Sequence, residues 1–132
     1  MTDKISFDLV SPERLLLSES AEMVTIPGAE GEMGVMAGHM PLISTLKPGT
    51  VDVKIASGNH DRYFVSGGFA EVTADKVTVL AEDAIHLSAL SADELDRRII
   101  DAQEEVATAK SEAQMHKALA VLDYMRRLRI AL

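Results

Sequence analysis

The run from Ser88 to Leu132, SALSADELDRRIIDAQEEVATAKSEAQMHKALAVLDYMRRLRIAL, contains neither Gly nor Pro, whereas the residues before it are punctuated by both. Gly and Pro stop or bend helices, so this change of texture marks a β-rich part followed by a helical part. Ser91 with Glu94 three residues on forms a capping box, the signature of a helix start. Leu95, Ile99, Ala102, Val106 and Ala109 then recur at steps of four and three, one stripe of a helix. Ser111 with Gln114 repeats the cap, and Met115, Ala118, Leu122 and Met125 follow, with Leu119 and Leu128 beside them. Two helices of about 17–20 residues, each about 26–30 Å long at 1.5 Å per residue, are expected. The connection between them is short, which predicts an antiparallel helical hairpin.

Working back from that boundary, the first part reads as strands. Ile5, Phe7 and Leu9 alternate with polar neighbours until Ser11-Pro12 ends the run. Leu15-Leu16-Leu17 is a short apolar block, and Met23 to Ile26 runs into Pro27-Gly28. Leu42 to Leu46 ends at Lys47-Pro48-Gly49. Val51, Val53 and Ile55 alternate with Asp52 and Lys54, the period of a half-buried strand. Ser57-Gly58-Asn59-His60 is a hairpin turn, because Gly and Asn tolerate positive φ, with Arg62 to Val65 returning. Phe69 to Thr73 and Val77 to Ala81 flank a last turn, with Phe69 and Val79 placed in the core. Many short strands so closely spaced predict an antiparallel sandwich or barrel and not a βαβ sheet.

Composition removes whole classes of function. The 132 residues suffice for a real core but not for two full-sized domains. With Cys 0 there is no disulfide, no thiolate metal site and no cysteine nucleophile. A net charge of −8 argues against nucleic acid or an anionic lipid surface as the main partner. Aromatic residues at 4% with Trp 0 are few for base stacking or sugar binding. No stretch approaches the roughly 20 apolar residues of a membrane span. The start, Met1-Thr2-Asp3-Lys4, shows no basic patch followed by an apolar run, so no secretory leader is expected. Residues 1–88 hold 13 of the 21 acidic side chains. Within the helical part the first helix is acidic and the second basic, ending in Arg126, Arg127 and Arg129, which suits the dipole at the chain end.

No catalytic set emerges. Gly28, Gly31, Gly34 and Gly38 form neither GxGxxG nor a phosphate loop, and they read as a tight irregular loop between strands. Ser66-Gly67-Gly68 lacks the frame of a nucleophile elbow. His39, His60, His86 and His116 have no second ligand at metal spacing and read as loop or surface residues. Glu30 and Glu32 are solvated loop charges, since a Gly-rich loop gives no reason for the desolvation that acid–base work needs. No metal and no cofactor is expected.

Several motifs, in order, match something known. Pro27-Gly28-Ala29-Glu30-Gly31-Glu32-Met33-Gly34-Val35-Met36-Ala37-Gly38-His39-Met40-Pro41-Leu42-Ile43 resembles the signature loop of the ε subunits of bacterial F-type ATP synthases. Val10-Ser11-Pro12-Glu13, Lys47-Pro48-Gly49, Phe64 to Val72 and Val77 to Ala81 resemble that family's other strands and turns. The likeness covers residues 5–81 and continues more loosely through the hairpin. It implies an α+β chain: an antiparallel flattened β-sandwich of about ten strands over residues 1–87, binding γ and the c-ring, then a regulatory two-helix hairpin over residues 88–132. It implies a non-catalytic rotor subunit of the central stalk, coupling proton flow to ATP synthesis. The chain would be peripheral on the cytoplasmic face of the bacterial inner membrane, without lipid insertion, and the lack of a transit segment favours a bacterial source.

Residue roles follow from the same resemblance. Glu30, Gly31, Glu32 and His39 would lie toward the polar loops of the c-ring, where exposed carboxylates set register more than affinity. Arg126, Arg127 and Arg129 would meet the α/β catalytic head when the hairpin extends along γ and blocks ATP hydrolysis, with a solvated basic face as the alternative for each. Some members bind ATP through Ile/Leu-Asp-x-x-Arg-Ala. Here Leu95-Asp96-Arg97-Arg98-Ile99-Ile100 keeps the Leu and Asp but has Ile99 in place of the Arg and Ile100 in place of the Ala. Ile offers phosphate none of the forked hydrogen bonds of a guanidinium, so weak or no ATP binding is expected. The rival reading is an unrelated β-sandwich binding module whose hairpin drives dimerisation.

Overall fold

The structure, a computed structural model, describes residues 4–55 and 57–131; residues 1–3, which open the segment read above for a leader, Ala56 and Leu132 lie outside the described residues. The chain divides into two compact units between Leu87 and Ser88.

Ten strands make up the described part of the first unit: β1 (Ile5–Val10), β2 (Leu15–Ala21), β3 (Met23–Gly28), β4 (Gly31–Val35), β5 (Leu42–Leu46), β6 (Gly49–Lys54), β7 (His60–Val65), β8 (Gly68–Val72), β9 (Lys76–Ala81) and β10 (Ala84–His86). Their order is β10-β7-β6-β3-β5-β8-β9-β1-β2, with β4 paired to β3. The path folds back on itself, because the Phe7 ring on β1 stacks 6.4 Å from Tyr63 on β7, strands that are not sheet neighbours. This is the β-sandwich the resemblance implies, one of the two architectures, sandwich or barrel, that the strand pattern allows. Alternation builds its core. Val51 and Val53 are fully buried while Asp52 and Lys54 turn outward, and Ile5, Phe7, Val24, Ile26, Val65, Val77 and Val79 fill the space between the layers. The β6–β7 turn is closed by the Ile55 N–H donating to the Asn59 carbonyl at 2.9 Å, with Gly58 at φ +84°, where a side chain is disfavoured.

Four local expectations change. One pair is parallel: β1 runs beside β9, Ser6 opposite Lys76 through Val10 opposite Leu80, where all pairs were expected to be antiparallel. The Gly-rich stretch is not an irregular loop throughout, since Gly31–Val35 is a strand held by β3 from Val24–Val35 to Gly28–Gly31. Phe69 is not in the core; it is 51% exposed, whereas Val79 is fully buried. Ala70 and Val72 set the inward phase of β8, so Phe69 and Glu71 share the outward side. Finally, His86 is no loop residue but the end of β10, half-buried and paired with Tyr63.

A 3-10 turn, Leu87–Ala89, spans the boundary, and the second unit carries α1 (Ala92–Thr108) and α2 (Glu112–Ala131). Ser91 Oγ accepts the Glu94 N–H at 3.2 Å, capping α1. Ser111 Oγ accepts the Gln114 N–H at 3.1 Å, and the Gln114 side chain accepts the Lys110 N–H at 2.9 Å, a reciprocal cap displaced by one residue. The helices pack against each other. Arg129, near the end of α2, donates to Asp96, near the start of α1, at 2.8 Å, so they run antiparallel. Leu95 and Ala102 on α1, with Ala118, Leu122 and Met125 on α2, are buried on the stripes read from the spacing.

Candidate functional site

The tip of the β3–β4 hairpin is built by close backbone approach. Gly28 faces Gly31 across a two-residue turn of Ala29 and Glu30. A Cβ on Gly28 would stand 2.7 Å from the Gly31 carbonyl oxygen, so only glycine fits there. The Ala29 N–H donates to Thr45 O at 2.8 Å and the Lys47 N–H to Pro27 O at 3.0 Å, which ties the tip to β5 and the turn after it. On this fixed support Glu30 and Glu32 are both exposed. Exposed carboxylates on a fixed support are suited to charge pairing.

His39 lies past the opposite end of β4, in the connection to β5. The Gly38 N–H donates to Ala74 O at 2.7 Å, anchoring this connection to the β8–β9 turn. His39 Nδ1 is 2.8 Å from Met40 O, so the ring donates through Nδ1 and leaves Nε2 outside that bond. The structure therefore brings Glu30, Gly31 and Glu32 together but holds His39 apart from them by the length of β4, about 15 Å for five residues. Exposed apolar side chains that the sequence reading did not single out lie nearby: Met40 is 79% exposed and Ile43 76%. Ile43 stands opposite Glu71 and Thr45 opposite Phe69 on the outward side of the β5–β8 pair. Outward-phase Ile and Phe on adjacent strands were the signal available for this face.

In the hairpin the three basic candidates differ. Arg129 is bound to Asp96, Arg127 Nη2 pairs with Asp123 at 2.9 Å, and Arg126 is exposed with no ion pair among the described residues. The partial nucleotide motif is occupied by the fold itself. Leu95 is buried, Asp96 holds Arg129, and Arg97 pairs with Glu94 at 2.6 Å. Among the described residues no group of three or more His, Cys, Asp or Glu side chains could hold a metal ion, and no helix is long and apolar enough to cross a membrane.

The described residues thus form a ten-stranded β-sandwich followed in sequence by an antiparallel helical pair. A family model described as "ATP synthase, Delta/Epsilon chain, beta-sandwich domain" matches residues 4–87, and the chain belongs to that family. It is 51% identical over 129 residues to the ATP synthase epsilon chain of Parvibaculum lavamentivorans, covering 98% of each chain. It is 48% identical to that of Mesorhizobium japonicum, over 97% of this chain and 95% of the relative. Among solved structures it is similar to a chain of the Euglena gracilis mitochondrial ATP synthase, OSCP/F1/c-ring in rotational state 1, with TM-score 0.75 and 29% identity, covering 97% of this chain and 81% of that one. The fold also matches a chain of the Tetrahymena thermophila mitochondrial ATP synthase central stalk and c-ring, with TM-score 0.64 and 15% identity.

Proposed function

We propose that this chain is the ε-type rotor subunit of a proton-translocating F-type ATP synthase, non-catalytic itself, bound to γ in the central stalk and resting on the c-ring. The observation that carries the reading is the likeness, over nearly the whole chain, to ATP synthase epsilon chains of about half identical sequence. The β unit is the docking body. Glu30 and Glu32, at the rigid β3–β4 tip, meet basic groups on the c-ring loops, and His39 makes a separate contact one strand-length away. The exposed Ile43 and Phe69 give the same unit an apolar surface suited to a protein partner. The complex, and not this chain, crosses the bilayer, so the subunit is peripheral, on the cytoplasmic face of a bacterial inner membrane.

The helical unit restrains ATP hydrolysis at the α/β head through its basic end. Arg126 is presented directly, whereas Arg129 must first release Asp96 and Arg127 must release Asp123. The test is the assembled enzyme. Affinity purification through this chain should recover γ and c subunits, and removing residues 88–132 should leave assembly intact while raising ATP hydrolysis. Recovery of a soluble homodimer without ATPase subunits would overturn the stalk role and favour the dimerising module. Unchanged hydrolysis would remove the inhibitory role alone.

A further inference from the structure

Glu19 stands on the wrong side of its strand. β2 turns Leu16, Ser18 and Ser20 outward and Leu17, Glu19 and Ala21 inward, and Ala21 is fully buried. A carboxyl group thus occupies a core-facing position, opposite Phe7 on β1. The far end of the sheet path supplies what it meets. Asp61 and Tyr63 share one side of β7, and His86 on β10 is the cross-strand partner of Tyr63. The Phe7–Tyr63 stack joins the two ends of the path. Beside it, Glu19 lies within hydrogen-bonding reach of Asp61 and close to His86. His86 Nε2 is 3.4 Å from Asp61 Oδ1, and its ring meets Tyr63 edge-on at 4.8 Å. The Oε1 atom of Glu19 is buried with no hydrogen-bond partner among the described residues.

Two carboxylates have no proton to put between them, so a hydrogen bond joins them only when one is protonated. We propose that Glu19 and Asp61 share a proton as a carboxyl pair, flanked by His86 and Tyr63, and that this pair clasps β2 to β7 and β10 so that closure of the β unit responds to pH. Burial above all, then the charge of and hydrogen bond to Asp61, raise the Glu19 pKa, with the His86 charge opposing them. Burial, together with Glu19 and Asp61, pushes Tyr63 up to about 12. The ionisable groups turned toward Glu19 are Asp61 and Tyr63 from β7 and His86 from β10, while β1 contributes the apolar Phe7.

The direction of the response follows from the raised value. A group that holds its proton more tightly folded than unfolded stabilises the fold fully below its unfolded pKa and loses that contribution as pH rises through the folded one. Above that value two negative charges oppose each other across the layers. β10 is the last strand before Leu87, where the unit ends, so the clasp acts on the strand from which the chain leaves the sandwich.

The test uses the full chain with carbon-labelled glutamate carboxyls, followed by NMR from about pH 4 to about pH 8, a range spanning the ordinary carboxyl and imidazole values. Glu19 should titrate above the exposed glutamates. Protection of the β10 amides, corrected for the intrinsic exchange rate, should fall over the same interval. Glu19→Gln, which mimics the protonated carboxyl, should flatten that pH dependence and melt several degrees above wild type near neutrality, while matching it in acid. Should Glu19→Gln fail to fold, Asp61→Asn is read by the same criteria. Glu19 titrating with the exposed glutamates, or a variant whose protection follows pH as the wild type does, would overturn the proposal.

Discussion

The β unit and the helical unit differ in how far along the chain many of their contacts reach. In the β unit Ser6 pairs with Lys76 and the Phe7 ring stacks on Tyr63, so each close contact shuts a long loop. In the helical unit, apart from the Arg129–Asp96 pair and the packed stripe that join the two helices, the caps join residues three apart, the ion pairs of Arg97 and Arg127 reach three or four residues, and few side chains are buried. Long-range contacts cost more loop entropy to make but fail together, whereas local ones open piecemeal at lower free energy. The comparison teaches that one chain can carry a body whose contacts fail together and a part whose contacts open piecemeal.

Substitutions can break or sharpen this contrast. Val79→Asp places an unpaired charge at a fully buried position and should abolish folding of the β unit, seen as loss of cooperative urea unfolding. A soluble variant with native-like stability would show that the core lies elsewhere. Leu122→Ala removes a buried side chain from α2 and should cost about 2–3 kcal/mol. Its helical circular dichroism should melt in a separate, earlier transition; a single unshifted transition would mean that the two units do not differ as described. Ser91→Ala deletes the α1 cap and should cost about 1 kcal/mol, read as faster hydrogen exchange at Glu94 with the β-unit amides unchanged.

A smaller effect is expected from the surface cluster at β1–β9. Hydrogen bonds from Lys76 and Ser18 hold the Asp8 carboxyl below its ordinary value. A depressed folded pKa gives stability that is present above the unfolded aspartate value, about 3.9, and is lost as pH falls through the lowered one. Lys76→Met should therefore flatten the acid limb of the stability profile and leave the neutral limb nearly unchanged, and an unaltered acid limb would remove the pair from the account. The smallest change belongs to Phe69→Asp, within about 0.5 kcal/mol by urea unfolding, because that ring is exposed. Set beside Val79→Asp, it measures how sharply the two sides of neighbouring strands differ.

Much of this was legible in the chain because it is local. Both helix starts followed from Ser-x-x-Glu and Ser-x-x-Gln, and the buried stripes from steps of three and four. The alternation around Val51 and Val53 placed β6 on the core. Phe69 was misplaced because hydrophobicity was read without phase; Glu71, two residues on, already marked that side as outward. β4 was missed because Gly31 and Gly34 depress strand propensity, and pairing with β3 overrides that preference. Of the candidate site, the exposed charges at Glu30 and Glu32 could be read from the loop chemistry. That His39 stands a strand away, and that Arg129 is engaged by Asp96, depends on pairings with no local signature.

The sequence by itself determined where the chain changes from strand to helix, which residues cap each helix and which side of most strands is apolar, since these rest on interactions a few residues long. Only the tertiary structure decided that β1 lies parallel to β9, that Asp96 takes Arg129, and that the Phe7 ring stacks on Tyr63. Each of those depends on which distant segments the burial of apolar surface brings face to face, and hydrophobic burial is non-directional, so no local pattern encodes its partners.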